Sequence, residues 1–571
     1  MEKSVERTQR TVIRLSFGIL LGFILLVAVF WGGHDLYVRW QEKRLVRRAT
    51  LDLQQGNDRD ASLAARSILE MNPSSASAAR IMAELGEKIG ERAALDWRRK
   101  AAQLDSHSVD DQLALVRSAV QFNDIATAER ALAAVEENGR TRADYHAAAA
   151  ALALTKHEDE KAEAEWTEAL RLRPGDTSYQ LKLGTMRIRA RDPQKRADGE
   201  AMLNGLRSDP GQRSAATRAL INAGIAQRDD SRKLLDLARE LQSYPEATWN
   251  DRFIYLEFLH ELKDPKFSEY LTQLEKNAPD KPASLAALLS WMTKSNLSLL
   301  ALDYCKSLPA DALKNWPVPL ALADAYVRLR DWPKLEAHAS KGNWGRFEFL
   351  RHAYLTRALR EQDKSVTAER EWGEAVKDAT SSESLVLLIQ PITEWGWEKE
   401  ATDLLWALSK HPEKQKDAFV ALYQHYAKTA DTQGLYRVLV RLSELDSTNV
   451  NVQNNLAQVS LLLNANPDQA RRAAANVYHT APTNPAYITT FAYSLLTQGN
   501  AKEAVRIMSS LNQEQLSDPS ISAYYGICLA ANGDAKARAY LDFGKQANLL
   551  PEEKALIDKA YATLNSRSAN R

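Results

Sequence analysis

AEAEWTEALRLRP, residues 162–174, decides the fold. Ala162, Trp166, Ala169 and Leu170 stand at steps of 4, 3 and 1, so they share one helical face, and Pro174 four residues on ends the helix. The same steps return in Ala61, Ala65, Ile68, Leu69 and Pro73, and again in Ala470, Ala474, Val477, Tyr478 and Pro482. Partial copies run through Ala128, Leu132 and Val135, through Ala368, Trp372, Ala375 and Val376, and through Ala504, Met508 and Leu511.

Spacing turns these copies into an argument. Ala128 to Ala162 is 34 residues, Ala470 to Ala504 is again 34, and Ala368 to Ala504 is four times that. Ala61 to Ala504 is 443, one residue off thirteen periods. Unrelated amphipathic helices would not hold phase over such a distance, so a repeat array is expected. A second set of signposts precedes the Ala helices: Leu183 and Gly184 follow Pro174 by nine and ten residues, and Tyr525 and Gly526 look alike, with Gly533 and Asp534 at the next turn.

A period of 34 with small residues at fixed helical places resembles the tetratricopeptide repeat family, over residues 45 to 565. The likeness is strong in 55–75, 142–190, 349–378 and 466–545. It weakens between about 210 and 345, where Pro279, Pro282, Pro309, Pro317 and Pro319 interrupt the register. The fold expected is all-α: a right-handed superhelical solenoid of tetratricopeptide-like pairs, about 14 to 15 in number, preceded by one transmembrane helix. Boundaries fall at 1–14 (tail), 15–33 (anchor), 34–48 (basic juxtamembrane stretch), 49–280 and 281–565 (two sub-arrays, the second with a helical cap) and 566–571 (polar tail).

Composition agrees with a helical array. The chain has 571 residues, 45% of them apolar and 26% charged, which suits a folded chain too long for one core. Its 23 Gly and 19 Pro are too few for the closely spaced turns of a sandwich or barrel. A net charge of +1 argues against a dedicated nucleic-acid binder, which needs a basic surplus to neutralise phosphates. Cys305 and Cys528 are too far apart in sequence and too few for a zinc cluster or a disulfide framework.

Residues Leu15 to Gly33 carry no charge over 19 positions and are read as an uncleaved membrane anchor. Arg14 abuts the apolar run while His34 and Asp35 open its other side, which favours the repeats outside the cytoplasm at an inner (plasma) membrane. The basic stretch after it rests on anionic lipid or forms the first helix of the array; both readings stand. Gly18 and Gly22 form a G-x-x-x-G spacing that permits a homodimer.

No motif for catalysis, nucleotide binding or a metal is present, so the expectation is no enzyme, no cofactor and no metal. The acids beside His157 (Glu158, Asp159, Glu160) fit a helix start. The tetratricopeptide resemblance implies binding of a partner's peptide or helix in a concave groove. Spacing nominates Arg357 and Arg360, and in a later repeat Thr489 and Tyr493, as groove residues. The arginines either grip a carboxylate or pair with Glu361 or Glu369. Seven of thirteen tryptophans fall between Trp316 and Trp406. Trp372 matches the packing position of Trp166. Trp395 and Trp397 sit at an inter-helix turn, where they stack on a ligand or pack between turns. The functional expectation is a membrane-anchored scaffold for protein partners in cell-envelope or polysaccharide assembly. The alternatives are a carbohydrate-binding factor using residues 316–406 and a cytoplasm-facing adaptor.

Overall fold

The computed structural model describes residues 37–38 and 40–569. Within them every regular element is a helix: fifteen pairs, opened by the helix at 40–54, then one final helix, Pro551–Ala569, with the one-turn Glu137–Arg140 and three 3-10 turns lying between pairs. Most helices have 8 to 15 residues, and short connections turn each one back along its partner.

The signature residues of the sequence are the ones buried between helices. Ala61, Ala65 and Ile68, then Ala162, Trp166 and Ala169, then Ala470, Ala474 and Val477, all lie in the interior. Small side chains there set how closely two helices approach. At Gly526, an added Cβ would stand 2.9 Å from the Leu541 backbone nitrogen of the partner helix.

The turn inside fourteen of the fifteen pairs carries a stricter periodicity. One residue there takes a left-handed backbone: Gly56, Gly90, Asn123 and His157, then, after the pair Thr177–Arg187 and Pro193–Leu206 that has none, Arg228, Lys263, Asn296, Arg330, Asp363, Gly396, Ala430, Asn464, Gly499 and Gly533. Within each of these two runs, successive members stand 33 to 35 residues apart. The next residue donates its N–H five positions back and so ties off the first helix, as in Asp331 to Tyr326 (3.0 Å), Trp397 to Ile392 (3.1 Å) and Asp431 to Tyr426 (3.0 Å). At Asp124, Asp331 and Asp431 that same residue caps the second helix with its carboxylate. The repeat therefore continues through 210–345, where the alanine and glycine signposts fade.

The chain divides into two compact units, one ending at Gln273 and the other starting at Leu274. In the first, charge reinforces the period. Arg207 pairs with Glu240, Arg213 with Glu246, Arg218 with Asp251 and Glu200 with Lys233, each 33 residues apart and so linking equivalent places in neighbouring repeats. From Val318 the second unit runs α1 (Val318–Leu329), α2 (Trp332–Lys341), α3 (Glu348–Arg360), α4 (Ser365–Asp378), α5 (Ser382–Glu394) and α6 (Glu398–Leu408). It continues with α7 (Gln415–Thr429), α8 (Thr432–Leu445), α9 (Val450–Leu462), α10 (Pro467–Thr480) and α11 (Pro485–Leu496). Then come α12 (Ala501–Met508), α13 (Pro519–Asn532), α14 (Ala537–Gly544) and α15 (Pro551–Ala569).

The membrane expectations are corrected. Among the described residues no helix is long and apolar enough to cross a membrane. The physical reason is amphipathicity: the helices bury one face against their neighbours and keep the other charged, as Asp159–Leu172 does with Ala162, Trp166 and Ala169 inside. The run 15–33 and the Gly18/Gly22 pair lie outside the described residues. The anchored fold, the inner-membrane location and the envelope role that rested on the anchor are therefore dropped.

Candidate functional site: an arginine–tryptophan cluster

Three structural features of the second unit bring distant residues together. The last turn of α3 carries Arg357 and Arg360. The turn between α5 and α6 reads Trp395-Gly396-Trp397, and the left-handed Gly396 (φ +73°) lets the two indoles turn toward each other. Trp332 opens α2.

Trp395 and Trp397 meet at 5.1 Å between ring centroids. Trp395 also stands edge-on to buried Tyr354 at 5.0 Å, and Trp397 edge-on to Trp372 at 6.0 Å. The Arg360 guanidinium carbon lies 4.2 Å from the Trp397 ring centre. That of Arg357 lies 5.5 Å from Trp332, 5.8 Å from Trp395 and 5.7 Å from Trp397. Ring faces attract cations through their quadrupole, more strongly where water is displaced. Trp332, Trp372, Trp395 and Trp397 are all partly buried, so Trp372 is less enclosed than Trp166, whose position it shares.

The two arginines differ in how their donors are used. Arg360 bonds Glu400 and Glu369, each at 2.7 Å. Arg357 pairs with Glu361 at 2.9 Å, yet its Nε–H is buried without a partner. Burial pulls its pKa below the usual arginine value; Glu361 opposes this, and Arg330 and Arg360 add to it. Beneath the cluster, Tyr354 donates its hydroxyl to Asp324, whose carboxyl is pushed up to about 6 by burial, with Glu394 adding to the effect.

The structure thus gathers Arg357, Arg360, Trp395 and Trp397, and adds Trp332, Trp372, Tyr354 and Asp324. Trp332 had no clear signal in the sequence: it stands two residues past Arg330, whose left-handed backbone only the structure shows. Thr489 and Tyr493 lie elsewhere, buried on α11; Thr489 gives its hydroxyl to the Pro485 carbonyl (2.8 Å) and Tyr493 meets Tyr524 at 5.3 Å.

Among the described residues no group of three or more His, Cys, Asp or Glu is placed to hold a metal ion. Cys305 and Cys528 are free and buried, and burial pushes both thiols up to about 12, far from a nucleophilic thiolate.

No protein-family model and no curated protein sequence matches the chain. Solved structures do. That titled for the functional characterisation of Pseudomonas aeruginosa pilF is 18% identical over 40% of this chain and 99% of that chain, with a TM-score of 0.32. The crystal structure of the APC/C hetero-tetramer Cut9–Hcn1 is 13% identical over 81% of this chain and 98% of that chain, with a TM-score of 0.29. At such scores neither carries an argument. The tetratricopeptide likeness is accordingly corrected to the packing of helix pairs alone, without family membership.

Proposed function

We propose that the chain is a non-catalytic interaction scaffold whose second unit holds a segment of a partner protein at Arg357, Arg360, Trp395 and Trp397. The observation that carries this reading is the Arg357 guanidinium, bracketed by three indoles with one donor unsatisfied. The outer end of this guanidinium is still partly exposed and can meet a carboxylate or carbonyl from outside, and the indoles supply apolar contact around it. Truncating an arginine or a tryptophan at such a centre typically costs an interface at least about 2 kcal/mol. The test compares proteins retained by the immobilised full chain with those retained by its Arg357→Ala and Trp395→Ala/Trp397→Ala variants. Loss of a specific protein from both folded variants is the expected outcome. An unchanged set would reject the site.

A second reading has its own observation in favour. Trp395 and Trp397 remain partly exposed at a turn, where aromatic rings suit sugar faces. Arg360 already lies over the Trp397 ring, which leaves less aromatic surface for a sugar and ranks this reading second. Glycan-dependent quenching of tryptophan fluorescence that vanishes in the double variant would promote it.

A further inference from the structure

The final helix does more than close the array. Closing needs contact with α13 and α14 only, and Leu549, Ile557, Ala560 and Leu564 provide it by joining the core of Ala523, Ile527, Ala537 and Leu541. The residues at the start of α15 reach much further back. Leu550 packs against the core built by Phe419, Leu422 and Val438 of α7 and α8. Glu552 accepts a hydrogen bond from the Thr432 hydroxyl, 120 residues earlier. Glu553 is buried, and its Oε1 accepts from the Tyr524 hydroxyl at 2.7 Å and from Gln458 Nε2 at 3.2 Å. Its other oxygen accepts from the Leu550 backbone N–H at 2.8 Å.

Leu549–Glu553 therefore lies across first helices of successive pairs, from α7 over α9 to α13. Burying a carboxylate is costly unless donors meet it, and here three do. The surface beneath is built like a peptide site. Along α9, Asn451, Asn454, Asn455 and Gln458 follow steps of 3, 1 and 3 and so share one face. Carboxamides in a row suit the alternating donors and acceptors of an extended backbone. Asn455 donates to the Tyr423 hydroxyl at 3.2 Å, while the buried Asn454 Oδ1 has no partner. Tyr493, nominated from sequence as a groove residue, meets Tyr524, the donor to Glu553, at 5.3 Å between ring centroids.

We propose that the face formed by α7, α9, α11 and α13 is a peptide-docking surface held closed by the chain's own Leu549–Glu553, and that its outside ligand is a partner-protein segment with two adjacent leucines followed three residues later by a glutamate. The occupant already seated defines that chemistry: Leu549 and Leu550 fill apolar sites, and Glu553 meets Tyr524 and Gln458. A tethered segment competes at an effective concentration on the order of millimolar, so the surface opens only to a ligand that outmatches it or when the segment is released. This surface lies apart from the Arg–Trp cluster and stands or falls separately from it.

The test uses the full chain and a labelled peptide of residues 546–556, QANLLPEEKAL. Leu550→Ala/Glu553→Ala in the chain weakens the internal occupant and leaves the walls intact. That variant is expected to bind the peptide at least about tenfold more tightly than the unaltered chain, since a closed surface lowers apparent affinity by its open fraction. A peptide with alanine in place of the second glutamate should bind neither. Equal binding to both chains, or none to a variant whose circular dichroism remains helical, overturns the proposal. Should the variant unfold, hydrogen exchange on the unaltered chain decides: excess peptide must speed exchange at 549–554, and an unchanged rate refutes displacement. Dimerisation of the unaltered chain with this segment protected would assign the surface to a second copy and overturn the partner.

Discussion

Replacing Asp324 by asparagine removes a carboxyl that the fold holds against its preference. Asp324 lies on α1, receives the Tyr354 hydroxyl and faces Glu394 with little nearby cation to offset the cost. Its pKa rises from the ordinary 3.8 to about 6, with burial the main cause. A rise of that size corresponds to at most about 3 kcal/mol between the protonated and charged forms. The sign follows from proton binding. Between pH 4 and 6 the folded chain keeps a proton that the unfolded chain has released, so stability falls as pH rises, and above 6 the full cost is present. Asparagine keeps an acceptor for Tyr354 and carries no charge. Asp324→Asn should thus match the unaltered chain near pH 4 and exceed it by about 2–3 kcal/mol at pH 7.5. Urea unfolding followed by tryptophan fluorescence reads this directly, because Trp395 touches Tyr354. A stability difference that stays constant across that pH range, or a variant less stable at pH 7.5, would refute the reasoning.

Other outcomes are expected from the packing. Gly544→Ala should destabilise the last pair by about 1–3 kcal/mol in urea unfolding, because the new Cβ would lie 2.5 Å from the Ala523 Cα, and backbone cannot step aside. Ala430→Gly should raise stability by about 0.5–1 kcal/mol in the same assay, since Ala430 holds a left-handed φ of 54° that glycine adopts freely. Both thiols should resist a disulfide reagent at pH 8 and react only as fast as the helices around them open; prompt labelling of either would contradict their burial.

Much of the fold was legible because one residue type had one job. Ala61, Ala65, Ala162, Ala169, Ala470 and Ala474 must be small wherever two helices meet closely, so their spacing shows through. Between 210 and 345 the same turn is held by Arg228, Lys263, Asn296 and Arg330, whose left-handed backbone no side chain announces. Ion pairs such as Arg218–Asp251, with Asp251 fully buried, also join successive repeats there, and which charges pair is settled by the fold. Of the nominated site residues, Arg357, Arg360, Trp395 and Trp397 were reached through helical phase and an unusual Trp-Gly-Trp turn. Asp324, Glu553 and Gln458 were not, since their role depends on partners 30 or more residues away.

The sequence by itself determined the class and period of this protein. Helix phase, small-residue spacing and the scarcity of Gly and Pro are local properties, written within one or two turns of each residue. Tertiary structure alone decided which side chains share a surface: that an arginine on α3 lies among indoles from α2 and the α5–α6 turn, and that Leu549–Glu553 returns to cover α7 and α9. The physical reason is distance along the chain. Each repeat packs on nearby repeats, and which residues 30 or more positions apart meet follows from that packing and not from local sequence.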